Sequence, residues 1–402
     1  MEQVLYQLPV GWEWRAIDEI ALIGAERGFT PIPDVEGKIP FVGMTDIDQD
    51  TGQKNTYELR NFDDVKKGYT KFQRNAVLFA KITPCTENNK TALIDKIDGG
   101  FATTEVYPIH AFECVEPKYL LHFFRSPSVR SFLIGQMEGA TGRQRVPLKA
   151  LKNVSVPMCW LSEQKRIVEK LDALLTRIDV AIEHLQENAS LADALYASEL
   201  NNIFSSGDDK WPLRKLNEVA EVARGKSKHR PRNDKSLFGG DYPFIQTGDV
   251  RNAQKYITTF SNSYNEKGFQ QSKLWPKGTI CLTIAANIGD VAILGMDACF
   301  PDSVVGISSS ELETDYLYYF LTTLQQQLDS KANAAAQKNI NLKILSVIEI
   351  PVPPLKEQRD IVRKINAVDQ MAVRVKAEIS EKITMMQQLK ASILDSAFKG
   401  EL

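Results

Sequence analysis

The sequence predicts an α+β protein: two mixed α/β globular units, joined and separated by two long antiparallel coiled-coil helices, in a pseudo-two-fold internal repeat. Three observations support this fold class. A long helical pattern occurs twice, a heptad of apolar residues runs through both copies, and the segments that precede the copies also align with each other. The predicted domains are a globular unit at 1–156, a central helix at 157–206, a second globular unit at 207–350 and a C-terminal helix at 351–402.

The two helical segments align at one constant offset. Leu161 and Leu355 stand at their starts and Phe204 and Phe398 at their ends, so the offset is 194 residues at both points (355 − 161 and 398 − 204). Prolines precede each segment and none lies within it, and a helix start is where proline is tolerated. A helix from 161 to 204 would be ~66 Å long.

Apolar residues at alternating steps of four and three predict a buried seam along each helix. The predicted seam residues are Ile167, Leu171, Leu174, Ile178, Ala181, Leu185, Ala192 and Leu195 in the first helix, and Ile361, Ile365, Val368, Ala372, Val375, Ile379, Met386, Leu389 and Ile393 in the second. One seam position is polar in both copies, Asn188 and Lys382, and either sets the register of the pair or lies in a solvated stretch. An antiparallel pair is predicted, because a compact segment of residues 207–350, with a radius of gyration of ~15 Å, returns the chain to a nearby point.

The globular units repeat more loosely than the helices. Trp12 aligns with Trp211, and the stretch at 39–48 aligns with that at 242–250. Short apolar runs predict buried strands at Ala76–Ala80, Thr279–Ile284 and Val291–Leu294, and aromatic runs predict short helices near 119–124 and 316–321. The framework agrees between the copies while the loops differ, and loops on a rigid scaffold commonly carry recognition.

Composition excludes several classes of protein. The 402 residues carry a net charge of −2, which gives no general affinity for polyanions, so any basic surface must be local. The five cysteines form no CxxC pair and no secretory segment is visible at the N-terminus, so reduced thiols and a cytoplasmic location are expected. No run approaches ~18 consecutive apolar residues, so no membrane span is predicted.

Taken together, these features resemble the specificity (S) subunits of type I restriction-modification systems. The resemblance covers essentially the whole chain. It rests on the alternation of variable units with helices that begin LSEQKRIVEKL at 161–171 and LKEQRDIVRKI at 355–365, and on the terminal AFKGEL at 397–402. Within the units, GFTP at 28–31, ITPCTENNK at 82–90, RGKS at 224–227, YPFIQTGDV at 242–250 and GFQQSKLWPKGTI at 268–280 look like motifs of target recognition domains.

The resemblance implies a non-catalytic DNA-recognition subunit of a multisubunit methyltransferase and endonuclease. Each globular unit would read one half of a bipartite target in double-stranded DNA, and the helices would set the half-site spacing and dock two methyltransferase subunits. Restriction subunits, which translocate DNA, would join that assembly. No cofactor is expected on this chain; S-adenosylmethionine, ATP and magnesium would belong to the partner subunits.

Candidate DNA-binding residues are those suited to phosphate or base contact, since Arg and Lys pair with phosphates and guanine edges, and Asn and Gln with adenine edges. In the second unit, the segment 224–232 is rich in cations and contains no acid; a solvated loop is the alternative. The candidates there are Arg224, Lys226, Lys228, Arg230 and Arg232, followed by Gln246, Thr247, Gln337 and Lys338. In the first unit they are Lys66, Lys71, Arg74, Asn88, Asn89, Lys90, Arg143, Gln144 and Arg145.

Enzyme motifs are incomplete in this sequence. Gly225-Lys226-Ser227 resembles the end of a phosphate-binding loop, but Ala220 stands where the first glycine is required. Asp34 and Glu36 imitate the letters of a nuclease site at a spacing too short for it, and the four histidines show no metal-ligand spacing. Two alternatives remain: a coiled-coil scaffold that binds protein, and a dimerised stand-alone DNA-modifying enzyme.

Overall fold

The computed structural model describes residues 3–52, 57–205, 211–285, 288–332 and 342–402. The chain divides into two units. The first unit comprises residues 1–186 and 380–402, and the second comprises residues 187–379. Each unit therefore contains one globular domain and part of each long helix.

The first unit contains two four-stranded sheets and a two-stranded one. Its strands are β1 (Glu13–Ala16), β2 (Ala21–Ile23), β3 (Lys38–Val42), β4 (Glu58–Asn61), β5 (Thr70–Gln73), β6 (Ala76–Ala80), β7 (Thr91–Ile94), β8 (Gly99–Ala102), β9 (Val106–Ala111) and β10 (Ser155–Met158). Its helices are α1 (Ile17–Ile20), α2 (Phe62–Val65), α3 (Pro117–Arg125), α4 (Pro127–Ile134), α5 (Leu148–Lys152) and the start of α6 (Leu161–Ser205). The sheet orders are β2-β9-β6-β7, β4-β3-β8-β5 and β1-β10.

The second unit repeats this plan. Its strands are β11 (Leu213–Lys215), β12 (Glu221–Arg224), β13 (Phe238–Phe244), β14 (Tyr256–Ile257), β15 (Asn262–Tyr264), β16 (Leu274–Trp275), β17 (Ile280–Thr283), β18 (Val291–Leu294), β19 (Ala298–Cys299), β20 (Val304–Ser308) and β21 (Glu349–Pro351). Its helices are α7 (Leu216–Val219), α8 (Thr247–Asn252), α9 (Glu266–Gln270), α10 (Thr314–Ala332), α11 (Leu342–Ser346) and the start of α12 (Leu355–Phe398). The sheet orders are β12-β20-β17-β18-β14, β15-β13-β19-β16 and β11-β21.

The sheet topology confirms the internal repeat. The order β2-β9-β6-β7 corresponds to β12-β20-β17-β18, and β4-β3-β8-β5 corresponds to β15-β13-β19-β16. In each second sheet the central pair is parallel, β3 with β8 and β13 with β19, whereas its other pairs are antiparallel. A shared parallel pair in otherwise antiparallel sheets is a specific topological feature, so the predicted fold class is confirmed.

A buried glutamine at the start of each long helix forms the same hydrogen-bond network in both units. Gln164 Oε1 accepts from the backbone N–H of Glu116 at 2.9 Å, and its Nε2 donates to the carbonyl of Cys159 at 2.8 Å. Gln358, which lies 194 residues later, accepts from Glu313 N–H at 2.7 Å and donates to a carbonyl of the chain that enters the helix at 2.9 Å. Because buried backbone groups need partners, this side chain fixes each helix start against its globular domain.

The two long helices pair antiparallel within each unit. In the first unit Asp179 of α6 pairs with Lys390 of α12 at 2.5 Å, and Arg166 donates to the carbonyl of Leu402 at 2.7 Å. Residue numbers therefore rise on one helix as they fall on the other. In the second unit, Lys376 of α12 pairs with an aspartate of α6 at 2.6 Å.

The aromatic residue at the end of each long helix packs on a globular domain. The ring of Phe398 lies 5.1 Å from that of Tyr119 and 5.3 Å from that of Phe123, both in helix α3. In the second unit the ring of Phe204 lies 5.4 Å from that of Tyr316 in α10. These contacts place the helix ends inside the cores of the domains.

Parts of the predicted seam are wrong. Leu195 and Leu389, which are equivalent at the offset of 194, are 68% and 47% exposed. Tyr196 packs against the core of its unit instead, because a straight helix repeats every 3.6 residues and drifts ~20° per heptad away from a 3.5-residue seam. Asn188 and Lys382 are exposed, so the solvated alternative holds for this pair of positions.

The strand predictions for the first unit and for Val291–Leu294 are confirmed by β6 and β18, and β17 covers the centre of the third predicted strand. The aromatic run near 316–321 lies in a helix of 19 residues, α10, so the prediction of a short helix there is wrong. Its polar residues after 324 gave no apolar pattern from which to extend the helix. Among the described residues, no helix is both long and apolar enough to cross a membrane.

Candidate nucleic-acid interface

The basic loop, residues 224–232, begins at Arg224, the last residue of strand β12 in the second unit. Its path depends on Gly225, because a Cβ at this position would lie 2.3 Å from the carbonyl oxygen of Phe300. Arg224 is exposed, as are Lys226 and Lys228. Neither lysine forms an ion pair with another residue that the structure describes. Arg224 likewise forms no ion pair with a described residue, so these three side chains are available to a phosphate.

The two arginines at the end of the basic loop bind within the protein. Arg230 donates to the carbonyl oxygens of Ser227 at 2.7 Å and His229 at 2.9 Å. Arg232 lies 2.6 Å from a carboxylate oxygen of Asp302. The acid that partly neutralises the loop therefore comes from a distant part of the sequence, and a phosphate would have to compete with it for Arg232.

His229 and Asp234 hold the basic loop in shape. The imidazole Nε2 lies 2.7 Å from Asp234 Oδ2, and Asp234 Oδ1 accepts from the backbone N–H of Ser236 at 2.9 Å. Hydrogen bonds from Ser236 and His229 lower the pKa of Asp234 to about 2, so it is a carboxylate at neutral pH. The histidine is thus a structural residue of the loop.

An open cleft of about 560 Å³ lies beside the basic loop. Its polar lining includes Arg232, Gln246, Thr247 and Asn262. The amide of Asn262 donates to Gln246 Oε1 at 3.2 Å, and Asp249 fixes the backbone by accepting from Gln246 N–H at 2.8 Å. Paired amides beside an arginine are the groups that read adenine and guanine edges. The structure brings the basic loop and the predicted residues 246 and 247 to one cleft.

In the first unit most of the predicted cations have partners within the protein. Lys66 pairs with Asp63 at 2.6 Å, Arg74 pairs with Asp98 at 3.1 Å, and Arg145 binds Glu105 through two nitrogens at 2.9 and 2.8 Å. Lys71 donates to the carbonyl of Phe29 and the hydroxyl of Thr30, and Lys90 donates to the carbonyl of Met44. The ion pairs are largely exposed, and such pairs contribute little, ~0–1 kcal/mol, so they exchange readily for other partners.

Two predicted regions of the first unit lie next to each other. The backbone N–H of Thr83 donates to the carbonyl of Gln144 at 3.0 Å, and Ile82 forms a β-bridge with Arg145. Loop 82–91, which carries Asn88, Asn89 and Lys90, is thereby joined to the segment 142–145. Arg143 and Asn88 are exposed. Loop 82–91 joins two strands of the sheet β2-β9-β6-β7, whereas the remaining predicted cations lie beside the sheet β4-β3-β8-β5. These cations, in β5 and its flanking turns, are Lys66, Lys71 and Arg74.

The site as a whole contains residues that sequence reasoning did not identify. Asn262 and Asp302 are too distant in sequence from the basic loop for the sequence to connect them with it. In the first unit, the buried Arg125 was not identified because it stands at the end of an aromatic run. Gln337 and Lys338 lie outside the described residues. The assignment of the candidate residues as DNA contacts remains a prediction.

Within the described ranges, no group of three or more His, Cys, Asp or Glu side chains could hold a metal ion.

Comparison with known proteins identifies the family. The family described as type I restriction modification DNA specificity domain matches this chain twice, at residues 9–192 and 208–385. The chain belongs to this family. The resemblance seen in the sequence is thereby confirmed, and each of the two units described above contains most of one copy of the domain.

Two relatives of this chain are named as specificity subunits of type I restriction enzymes. The chain is 35% identical over 181 residues to the EcoAI specificity subunit of Escherichia coli, an alignment covering 44% of this chain and 30% of that protein. It is 26% identical over 370 residues to the putative specificity subunit S.HindORF215P of Haemophilus influenzae, covering 87% and 86%. The chain spans about a third of the length of the first of these relatives, and most of the second.

Two solved structures share the fold. One belongs to a study of complex assembly and conformational transition in a type I restriction-modification system, with a TM-score of 0.79, 24% identity and coverage of 99% and 100% of the two chains. The other is the HsdS subunit from Thermoanaerobacter tengcongensis, with a TM-score of 0.63, 24% identity and full coverage of both chains.

Proposed function

We propose that this chain is the DNA-specificity subunit of a type I restriction-modification complex. One observation carries the proposal: the same framework occurs twice, held by the same networks at Gln164 and Gln358, while the polar loops on the two copies differ. A duplicated scaffold with divergent loops suits a bipartite target of two different half-sites, one read by each unit.

The chemistry of the loops supports double-stranded DNA as the target. The second unit presents Lys226 and Lys228 for phosphates, and the cleft with Gln246 and Asn262 for base edges. The first unit presents Asn88 and exposed arginine in the joined loops 82–91 and 142–145. Both units thus combine positioning groups with reading groups.

The chain itself supplies recognition, and the chemistry belongs to partners. Two methyltransferase subunits would dock on the long helices, bring S-adenosylmethionine and methylate an adenine in each half-site. Restriction subunits would supply ATP- and magnesium-dependent translocation and cleavage. The complex would work in the cytoplasm, and the helix length would set the half-site spacing.

Methylome sequencing tests the proposal. The chain is expressed with its cognate methyltransferase in a host that lacks adenine methylation, and methyltransferase alone is the control. The expected result is one bipartite motif with a fixed spacer, methylated once in each half and absent from the control. A contiguous motif, or methyl transfer by the purified chain without a partner, would contradict it.

A further inference from the structure

Arg125, the last residue of helix α3, is buried and donates to backbone oxygens of two segments. Its guanidinium donates to the carbonyls of Gln49 at 2.8 Å and Asp50 at 2.7 Å. It also donates to the carbonyls of Thr91 at 3.0 Å and Asn89 at 3.4 Å. The residue is 8% exposed. One side chain therefore connects the turn at 48–52 with loop 82–91.

Both connected segments are shaped for this contact. In the turn, Asp48 accepts from the backbone N–H groups of Asp50 at 2.8 Å and Thr51 at 2.7 Å. Gly52 has a φ of +66°, and a Cβ there would lie 2.7 Å from Arg125 Nη1. In the loop, Asn89 has a φ of +55°, which turns its carbonyl in a direction that a bulky residue seldom adopts. The approach of the guanidinium thus depends on backbone conformations at both ends.

The helix that carries Arg125 is itself held in place by polar contacts. Helix α3 is tied to long helix α6 because Lys118 and His122 both bind Asp172, each at 2.8 Å. Burial lowers the pKa of Arg125 to about 10, which leaves it charged at neutral pH. A buried charge is costly without partners, and four carbonyl dipoles satisfy it here. The guanidinium therefore links loops of the first domain to the helix that carries the domain.

Among the residues that the structure describes, no arginine stands at the equivalent position of the second unit. Alignment of the two aromatic helices, Tyr119 with Tyr316 and Phe123 with Phe320, places Thr322 at the position of Arg125. The Thr322 hydroxyl donates to the carbonyl of Tyr319, three residues earlier in its own helix, at 2.7 Å. Thr322 carries no guanidinium with which to join two loops, so any effect of Arg125 on recognition belongs to the first unit alone.

We propose that Arg125 is a positioning residue for DNA readout by the first unit, and that it determines discrimination at one half-site and not at the other. The inference rests on the proposed function. Arg125 is buried, so it would act through loop 82–91, which carries the exposed candidate Asn88, by fixing that loop against the turn at 48–52. A lysine cannot replace it, because an ammonium group cannot span four carbonyls on two segments.

The test compares variants of the assembled complex. The wild-type motif is first determined by methylome sequencing. Binding is then measured with the native duplex and with duplexes that carry a substitution in one half-site or the other. Discrimination at a half-site is the ratio of the affinity for the native duplex to the affinity for the duplex substituted there. Arg125→Lys and Arg125→Gln should lower discrimination at the first unit's half-site by about tenfold or more, the factor of about one charge-assisted hydrogen bond. Discrimination at the other half-site should be unchanged. Arg15→Gln, which changes an exposed arginine of β1, is the control and should leave both values unchanged.

A second route covers loss of folding in the arginine variants. Gly52→Ala keeps Arg125 but puts a Cβ 2.7 Å from its Nη1 and 2.9 Å from the carbonyl oxygen of Thr91, at a φ that favours glycine. It should therefore separate the turn from the loop and reproduce the reduced discrimination at the same half-site. Folded variants that retain discrimination at both half-sites, or lose it equally at both, would overturn the inference and leave the proposed function intact. A wild-type complex with no bipartite motif would instead overturn the proposed function, and this inference with it.

Discussion

Arg232 shows how a basic run in sequence differs from a basic surface in the folded chain. It pairs with Asp302 at 2.6 Å, although the segment 224–232 contains no acid. Its side chain is nevertheless about half exposed, so the ion pair costs little to exchange for a phosphate. The position therefore suits a switch between an internal partner and DNA.

The first prediction concerns Arg230 and Arg232, the two arginines at the end of the basic loop. Arg230→Ala with Arg232→Ala should weaken DNA binding, and the slope of log affinity against log salt should flatten by roughly one for each phosphate that the variant no longer binds. If one arginine reads a guanine edge instead, specificity at that base pair should relax, at a cost of ~1–3 kcal/mol. Salt titrations of the complex give both quantities. Arg359→Ala with Arg374→Ala removes two exposed arginines of α12 and controls for net charge. Unchanged affinity and unchanged slope in the loop variant would together assign the loop to solvent.

Asp172 gives a prediction of pH dependence. Burial raises the pKa of Asp172, but hydrogen bonds from His122 and Lys118 outweigh this and hold the pKa below its usual value. A depressed carboxylate pKa contributes stability above the pKa of the unfolded chain, and that stability is lost as pH falls through the folded pKa. The window therefore lies below about pH 4.

Asp172→Asn should accordingly destabilise the first unit by about 1 kcal/mol at pH 7, after allowance for solvent screening of a half-exposed group. At about pH 2.5 the variant and the wild type should approach each other in stability. Urea unfolding at the two pH values measures the difference, with exposed Asp18→Asn of the same unit as the control. An equal difference at both pH values would show that the carboxylate charge is not the cause.

At this scale the sequence predicted residue types better than residue roles. The pattern in 224–232 was visible, but the partners Asp302 and Asn262 were not, because such contacts depend on sheet topology. Arg125 follows an aromatic run, and nothing nearby indicates that its partners lie 34 to 76 residues earlier. Long-range polar contacts were therefore beyond sequence reasoning.

Among the elements, the two long helices were the most predictable. Their starts at Leu161 and Leu355 agree with the sequence, because repeated prolines and apolar patterns mark them directly. Their inner faces were less predictable: the heptad places Leu195 inside, whereas the helix turns Tyr196 toward the core. The strands of two or three residues, such as β14, carried no periodicity by which to find them.

The ends of the long helices give the third prediction. Phe398→Ala should destabilise the first unit by ~3–5 kcal/mol, because it removes a buried aromatic ring that packs on Tyr119 and Phe123. Phe204→Ala is the matched change in the second unit. Hydrogen exchange should rise in β6 for the first variant and in β17 for the second. Equal loss of protection in both strands from either change would contradict independent cores.

At the scale of the molecule, each unit has its own hydrophobic cores. Residues of the first unit, including the end of α12, form one set, and residues of the second unit form another. No core cluster of the described residues mixes the two. This arrangement suits the proposed bipartite recognition, since one half-site could then change while the other is retained.

The last prediction is an exchange of residues 1–150 for the equivalent part of a relative. The junction should tolerate it, because β1 pairs with β10 through backbone bonds and Gln164 binds a backbone N–H. The donor must keep aromatic residues at positions 119 and 123, since both contact Phe398. Methylome sequencing should then show one half of the motif replaced and the other unchanged. A donor with both aromatics changed to alanine is the control for the junction, and should fail to assemble. Replacement of both halves by a single exchange would mean that the two units do not read DNA independently.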